Sequence, residues 1–177
     1  AYFTGLDTLP GNQNVPIGFE DILSAKLKLD YTNTRKSLGA VDHEKGFHWN
    51  LAALGSHADG TSVPHLLGGF DFGFALPVGH SSLWFYNSAG FTHVDRDNVL
   101  ANFSVGGFGN NYVDDGEVKR YRDYDRFPGF EIDGISGQGF AKTVLEWNLP
   151  PLRFEELGTP ALFLSWARPA LFAGALI

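Results

Sequence analysis

The chain contains no cysteine and no methionine. Without cysteine there is neither a disulfide framework nor a thiolate metal site, and the absence suits a protein of the bacterial envelope. Basic residues are also scarce: 13 Lys+Arg face 20 Asp+Glu, a net charge of -7. Phosphate backbones are bound by basic patches, so no nucleic-acid partner is expected. The densest basic segment, Lys119-Arg120-Tyr121-Arg122, is interleaved with Asp114, Asp115, Glu117, Asp123 and Asp125.

Catalytic and metal signatures are missing in the same way. His43, His48, His57, His65, His80 and His93 form no His-x-x-x-His or His-Glu-x-x-His spacing, so surface roles are expected and no metal. The stretch NNYVDDGE lacks the register of a calcium loop. Neither GGFGNN nor GISGQG opens a helix, so both read as turns or bulges beside strands and not as phosphate cradles. No Gly-x-Ser-x-Gly elbow exists, and neither Ser136 nor Ser165 has a neighbour that marks a nucleophile. Glu155-Glu156 and Glu131/Asp133 are the kind of acidic pairs that surfaces carry. The expectation is a protein that is not an enzyme and uses no cofactor. The longest apolar run, PALFLSWARPALFAGALI, is interrupted by Arg168-Pro169, which argues against a membrane-crossing helix.

What the chain has in quantity is 16 Phe, 4 Trp, 6 Tyr and 22 Gly. Aromatics pack well on pleated sheets, and glycine marks turns and bulges. Residues 1–18, rich in Pro, Gly and Asn, read as a loop or the end of a preceding strand. From Leu23 to Thr32 the chain alternates strictly, with Leu23, Ala25, Leu27, Leu29 and Tyr31 opposed to Ser24, Lys26, Lys28, Asp30 and Thr32. Further strands are expected over Phe47–Gly55, His65–Leu76, Ser82–Phe91 and Val99–Phe108. A long, highly charged loop then covers residues 110–137; loops of that length are often functional. A sixth strand, AKTVLEWNL, is expected to extend to about Leu152, and a seventh begins near Ala161. No amphipathic helix or fixed-period repeat is evident. A start other than Met, no leader before Ala1, and a stop at Ile177 in mid-pattern lead to the expectation of a processed chain or a piece of a longer one.

Alternation cannot by itself separate a soluble sandwich from a membrane barrel, since each hides one face of every strand. The clearest strands nevertheless run to about 9–12 residues, as tilted membrane-crossing strands require, whereas soluble strands average about 5–6.

From Asp125 to Phe172 the sequence DRFPGFEIDGISGQGFAKTVLEWNLPPLRFEELGTPALFLSWARPALF resembles the bacterial surface-antigen superfamily of outer-membrane barrels, the BamA/TamA-like assembly and transport proteins. That family's long sixth extracellular loop ends in an Arg-Gly-Phe/Tyr motif and precedes a strand bearing an inward acid. Here the loop reads Arg126-Phe127-Pro128-Gly129-Phe130: Gly129 and Phe130 match, Pro128 stands where arginine is expected, and Arg126 lies close by. The resemblance implies one outer-membrane barrel domain over residues 1–177, all-β and antiparallel. It contributes about seven strands, the seventh to thirteenth, of a larger, roughly 16-stranded transmembrane barrel.

Under that reading Leu27, Leu29, Leu145 and Trp147 face lipid, while Lys26, Lys28, Lys142 and Glu146 face the lumen. Loop 110–137 is extracellular or lumenal, and Arg126 pairs with Glu146 in the lumen. The implied role is insertion or translocation of proteins at the outer membrane. Expected partners are outer-membrane lipid, client proteins, and periplasmic or lipoprotein subunits. Two other readings are a self-contained eight-stranded structural or adhesive barrel, and a soluble β-sandwich binding module.

Overall fold

A computed structural model describes residues 2–4, 21–58, 60–95, 98–108, 119–159 and 162–177. These residues are all-β with antiparallel sheets. The alternating segments become strands β1 (Tyr2–Thr4), β2 (Asp21–Arg35), β3 (Lys45–Ala58), β4 (Thr61–Ala75) and β5 (Ser82–Phe91). Strands β6 (Phe103–Val105) and β7 (Ile135–Gly137) are short; β8 (Gly139–Asn148), β9 (Leu152–Thr159), β10 (Leu162–Ala167) and β11 (Ala170–Leu176) complete the described set.

The main sheet has seven strands in the order β1-β2-β3-β4-β5-β8-β11. Its members differ from those expected. Segment 99–108 does not join it: after a single 3-10 turn at Val99–Ala101, only Phe103–Val105 is strand, and it pairs with β7. Gly106 and Gly107, with φ values of 156° and 72°, turn the chain immediately after β6. A Cβ on Gly106 would lie 2.1 Å from the Glu131 carbonyl oxygen, so this backbone approach needs glycine.

The expected sixth strand stops at Asn148, before Leu149-Pro150-Pro151, because proline cannot donate to a ladder. The apolar tail is split at Arg168-Pro169 into β10 and β11. β9 pairs with β10 in a separate two-stranded sheet, and β8 pairs with β11 in the main one. Within residues 1–18, expected as a loop or the end of a preceding strand, Tyr2–Thr4 is a short strand that pairs with β2. Residues 5–20 and 109–118 lie outside the described residues.

The sheet has two distinct ends. Turns 36–44 and 76–81 and the β9–β10 extension lie at the turn end; β3 passes into β4, and β5 into the long excursion that returns at β8 (described over 92–95, 98–108 and 119–138), at the loop end. The base of the excursion is closed by Thr92 N donating to the Gln138 carbonyl at 2.9 Å.

Register puts the apolar set on one face. Leu29 opposes Leu51, Tyr31 opposes Trp49, Trp49 opposes Phe70, Phe72 opposes Phe85, and Phe85 opposes Leu145. This face is bare: Leu27 is 67% exposed, and Leu29, Leu51, Leu66, Phe70 and Trp147 are exposed with it.

The opposite face is covered by the excursion. Phe103, Val105 and Phe140 form a small buried cluster there, joined by Leu67, Phe127 and Leu176. Close packing on this face relies on missing side chains. A Cβ on Gly73 would fall 2.2 Å from the Trp84 ring, and one on Gly90 would fall 2.5 Å from Phe140.

Candidate functional site

Strand β8 shows the arrangement most clearly. Its odd-numbered residues, among them Leu145 and Trp147, are exposed, whereas Phe140, Lys142, Val144, Glu146 and Asn148 are buried. An ordinary water-soluble strand hides the apolar set and exposes the charges. Here Glu146, 0% exposed, is among the most buried side chains among the described residues.

A carboxylate so placed must be surrounded by donors, and the excursion supplies them. Arg122 donates from Nε to Glu146 Oε2 at 2.9 Å and from Nη2 to Oε1 at 2.7 Å, a side-on bidentate pair. Tyr121 OH donates to Oε2 at 2.8 Å, and Lys119 Nζ donates to Oε1 at 3.0 Å. Lys119 also reaches Asn148 and, at 3.2 Å, Asp42 Oδ2 in turn 36–44; Arg168 donates to the other Asp42 oxygen at 2.8 Å. Turn, excursion, β8 and the β10–β11 junction are thus tied by one chain of charges.

Aromatic contacts hold the same segment. Tyr121 stacks on Phe172 of β11 with centroids 3.9 Å apart and planes 9° from parallel, and the Arg122 guanidinium lies 4.7 Å over the Tyr86 ring. Burial pushes the Tyr121 phenol above its ordinary value, and its hydrogen bond to ionised Glu146 pushes it further. It is therefore a fixed donor.

Lys142, two pleats along the same face, has a different environment. Its ammonium donates to the backbone carbonyls of Tyr121 (2.8 Å), Asp123 and Arg126. Three carbonyls of one turn converging on one buried cation fix the path of residues 121–126.

Arg126 does not meet Glu146. Its Nε lies 3.4 Å from Asp125 Oδ2 in a partly exposed pair, and Arg122 takes the place expected for it. Arg122 lies in the 3-10 turn Arg120–Arg122, beneath which Lys142 fixes the backbone. The rest of the motif has mixed placement. Phe127 packs inward, with a ring carbon 3.3 Å from where a Gly174 Cβ would be, while Phe130 is exposed. Gly129 takes φ 97° beside partly buried Pro128. Lys26 and Lys28 share the covered face with Lys142 and Glu146, and Leu27, Leu29, Leu145 and Trp147 share the bare one.

Sequence reading missed Lys119, Tyr121, Arg122, Asp42 and Asn148. The signal for the first three was the basic cluster itself, which reads as solvated because acids flank it. His65 is not at the surface but buried edge-on to Phe103, and half-buried His48 has its Nδ1 3.1 Å from Asp71 Oδ2 on the covered face.

A polar cavity of about 460 Å³ remains between the excursion and β2–β4, lined by Lys26, Lys28, His48, Asp71, Tyr86 and Arg122 among others. At the turn end, Ser37, Glu44 and His80 are clustered, but Ser37 Oγ (3.4 Å) and Glu44 Oε1 (3.0 Å) both meet His80 Nδ1. A proton relay needs one partner on each ring nitrogen, so this cluster is a clasp between two turns. Among the described residues no group of three His, Asp or Glu is placed to hold a metal, and no helix is long and apolar enough to cross a membrane.

No family model matches the chain, and no curated protein or solved structure matches it.

Proposed function

We propose that the chain forms part of an outer-membrane β-barrel of the surface-antigen type, which assists insertion or translocation of proteins at the bacterial outer membrane. The observation that carries the membrane reading is the reversal of faces. Leu27, Leu29, Leu51, Phe70, Leu145 and Trp147 are exposed together, while Lys142 and Glu146 are buried behind them. A contiguous apolar face of this extent has no place in water. In hydrocarbon it is the outer wall of a barrel whose lumen is polar. Stretches such as Leu23–Tyr31, Leu66–Phe74 and Leu83–Phe91 have the span of about 9–11 residues that a tilted crossing strand needs.

The transport reading rests on the resemblance of Asp125–Phe172, together with a long excursion folded against the inner wall and locked there through Glu146. In hydrocarbon the open edges at β1 and β11 have to be paired with further strands, since unpaired backbone is excluded from lipid.

Two measurements on the full parent chain test the two levels. Detergent-dependent extraction with heat-modifiable gel migration is expected; a monomeric parent that is soluble without detergent overturns the barrel. Depletion of the parent in its own cell is expected to lower the amounts of other outer-membrane barrels or surface-exported proteins. Unchanged amounts overturn the assembly role and favour a structural barrel.

A further inference from the structure

The bare face ends at the turn end in an arrangement that the barrel wall does not require. Arg35, the last residue of β2, stands directly opposite Lys45, the first of β3. Both follow the register of Leu29↔Leu51, Tyr31↔Trp49 and Asn33↔Phe47, so both lie on the bare face, and both are exposed. Directly opposed residues of an antiparallel pair have Cβ atoms about 4.5–5.5 Å apart, and like charges so placed repel.

No acid among the described residues relieves this pair. The neighbouring Glu44 is turned away and is occupied by the Ser37 amide and hydroxyl and by His80. Asp42 is taken by Lys119 and Arg168. A shallow recess of about 370 Å³ lies at the two cations, lined by Asn33, Arg35, Lys45, Gly46 and Phe47. Gly46 takes φ 121°, and a Cβ there would lie 2.2 Å from the Asn33 carbonyl.

The level of the recess indicates what fills it. The rings of Tyr31, Phe47, Trp49, Phe70, Phe72 and Phe85 make a continuous band just inside it, with neighbouring centroids 4.8–6.3 Å apart. Aromatic girdles of barrels sit at the headgroup boundary, so two cations one step beyond the band are at the depth of lipid phosphates. Outer-membrane barrels have short turns on the periplasmic side and long loops outside. The longest connection, between β5 and β8, leaves the sheet at the opposite end; that end is then extracellular, and the end bearing turns 36–44 and 76–81 and the β9–β10 extension is periplasmic, where the leaflet is glycerophospholipid.

Resting on the barrel reading above, we propose that Arg35 and Lys45, with Asn33, form an outward-facing site for the phosphate of an anionic glycerophospholipid of the inner leaflet. Arg35 supplies a planar fork that matches phosphate oxygens and Lys45 a second point charge. The acyl chains then run up the wall over Tyr31, Trp49 and Leu29.

The test uses the full parent chain reconstituted into phosphatidylcholine vesicles containing a minor fraction of phosphatidylglycerol. Flotation confirms insertion, and lipids retained after mild detergent extraction are counted by native mass spectrometry. Phosphatidylglycerol is expected to be retained several-fold above its vesicle ratio in the wild type and at that ratio in Arg35→Gln/Lys45→Gln. The charge-preserving swap Arg35→Lys/Lys45→Arg and the covered-face variant Lys26→Gln are expected to keep the enrichment. Retention at the vesicle ratio in wild type, or unchanged enrichment in the double Gln variant, overturns the site while leaving the barrel standing. Retention of lipid A, and not of phosphatidylglycerol, from vesicles containing both also overturns it, because that places this rim in the outer leaflet. A parent that does not float with vesicles overturns the barrel and the site together.

Discussion

Arg122 and Glu146 meet side-on, through Nε to Oε2 at 2.9 Å and Nη2 to Oε1 at 2.7 Å, with the carboxylate fully out of solvent. Removing one partner of a buried pair leaves an uncompensated charge, at a cost of about 3–5 kcal/mol. Glu146→Ala is expected to reach that range, since it strands both Arg122 and Lys119. Arg122→Ala costs less, because Lys119 and Tyr121 still donate to the carboxylate. The double variant should fall short of the sum of the singles by about 1–3 kcal/mol in urea unfolding of the refolded protein. Additive effects refute the pairing as the lock. Arg126→Ala, whose side chain among the described residues has a loose, partly exposed partner in Asp125, should stay within about 0.5 kcal/mol of wild type.

Lys142 predicts a different signature. Lys142→Met keeps the length of the side chain and removes the donors that three carbonyls of residues 121–126 share. Stranded buried acceptors cost about 1–3 kcal/mol each at most. The effect should be local: amide exchange and protease cleavage between Lys119 and Phe127 should rise while the strands remain protected. Uniform loosening of the strands would count against a pin acting on this turn.

The two faces can be told apart by placing a charge on each. An arginine at Leu29 or Leu145 is expected to cost about 2–4 kcal/mol if these positions sit near the middle of a bilayer. The same residue in place of Lys28, on the covered face, should cost little. Singly introduced cysteines at Leu145 and Ser88 should differ in the same sense, the first quenched by lipid-borne probes and the second not. Equal response at both positions would sink the assignment of faces.

The strands of this fold were legible because one period dominates them. Lys26 and Lys28 against Leu27 and Leu29 leave no helical alternative, and the same holds from Phe47 to Phe91. Segment 99–108 carried the same alternation for another reason: Ala101, Phe103 and Val105 are buried in a wrap across the covered face, and alternation alone does not reveal what covers them. The acid of the site was legible, since Glu146 is opposed to Leu145 and Trp147 on β8. Its partner was not. A family resemblance drew attention to RFPGF, yet which arginine reaches the acid is decided by the turn that Lys142 fixes, a contact between distant parts of the chain. The break at Arg168-Pro169 could be seen, while its use, Arg168 reaching Asp42, could not.

Gly73 offers a test of packing on the covered face. Its missing Cβ leaves the room that the Trp84 ring fills, and Trp84 in turn donates from Nε1 to the His43 carbonyl at 2.9 Å. Gly73→Ala is expected to cost about 1–3 kcal/mol by overpacking, and to shift the fluorescence of the buried Trp84 as the ring moves. Gly79→Ala, at a turn where nothing lies within 4 Å of the added carbon, is the control.

The clasp at the turn end is expected to depend on pH with a definite sign. Glu44 accepts hydrogen bonds from the Ser37 hydroxyl and, at 3.1 Å, from the Ser37 amide, and faces His80 Nδ1 at 3.0 Å. The Ser37 hydrogen bond, opposed by burial and aided by His80, holds the carboxyl below its ordinary value. A carboxyl depressed in the folded state stabilises it at pH values above its unfolded value, and that contribution is lost as pH falls through the folded one. The clasp should therefore be intact at pH 7 and open only in acid, as pH falls through a value below that of an ordinary glutamate. Exchange of the Ser37 amide, which Glu44 protects, is the direct readout. Its protection should collapse in acid for the wild type. In Glu44→Gln it should be weak at every pH, with a loss of about 1–2 kcal/mol in local stability. Protection with the same pH dependence in the wild type and in Glu44→Gln would mean that the two turns are held by packing and not by this carboxylate.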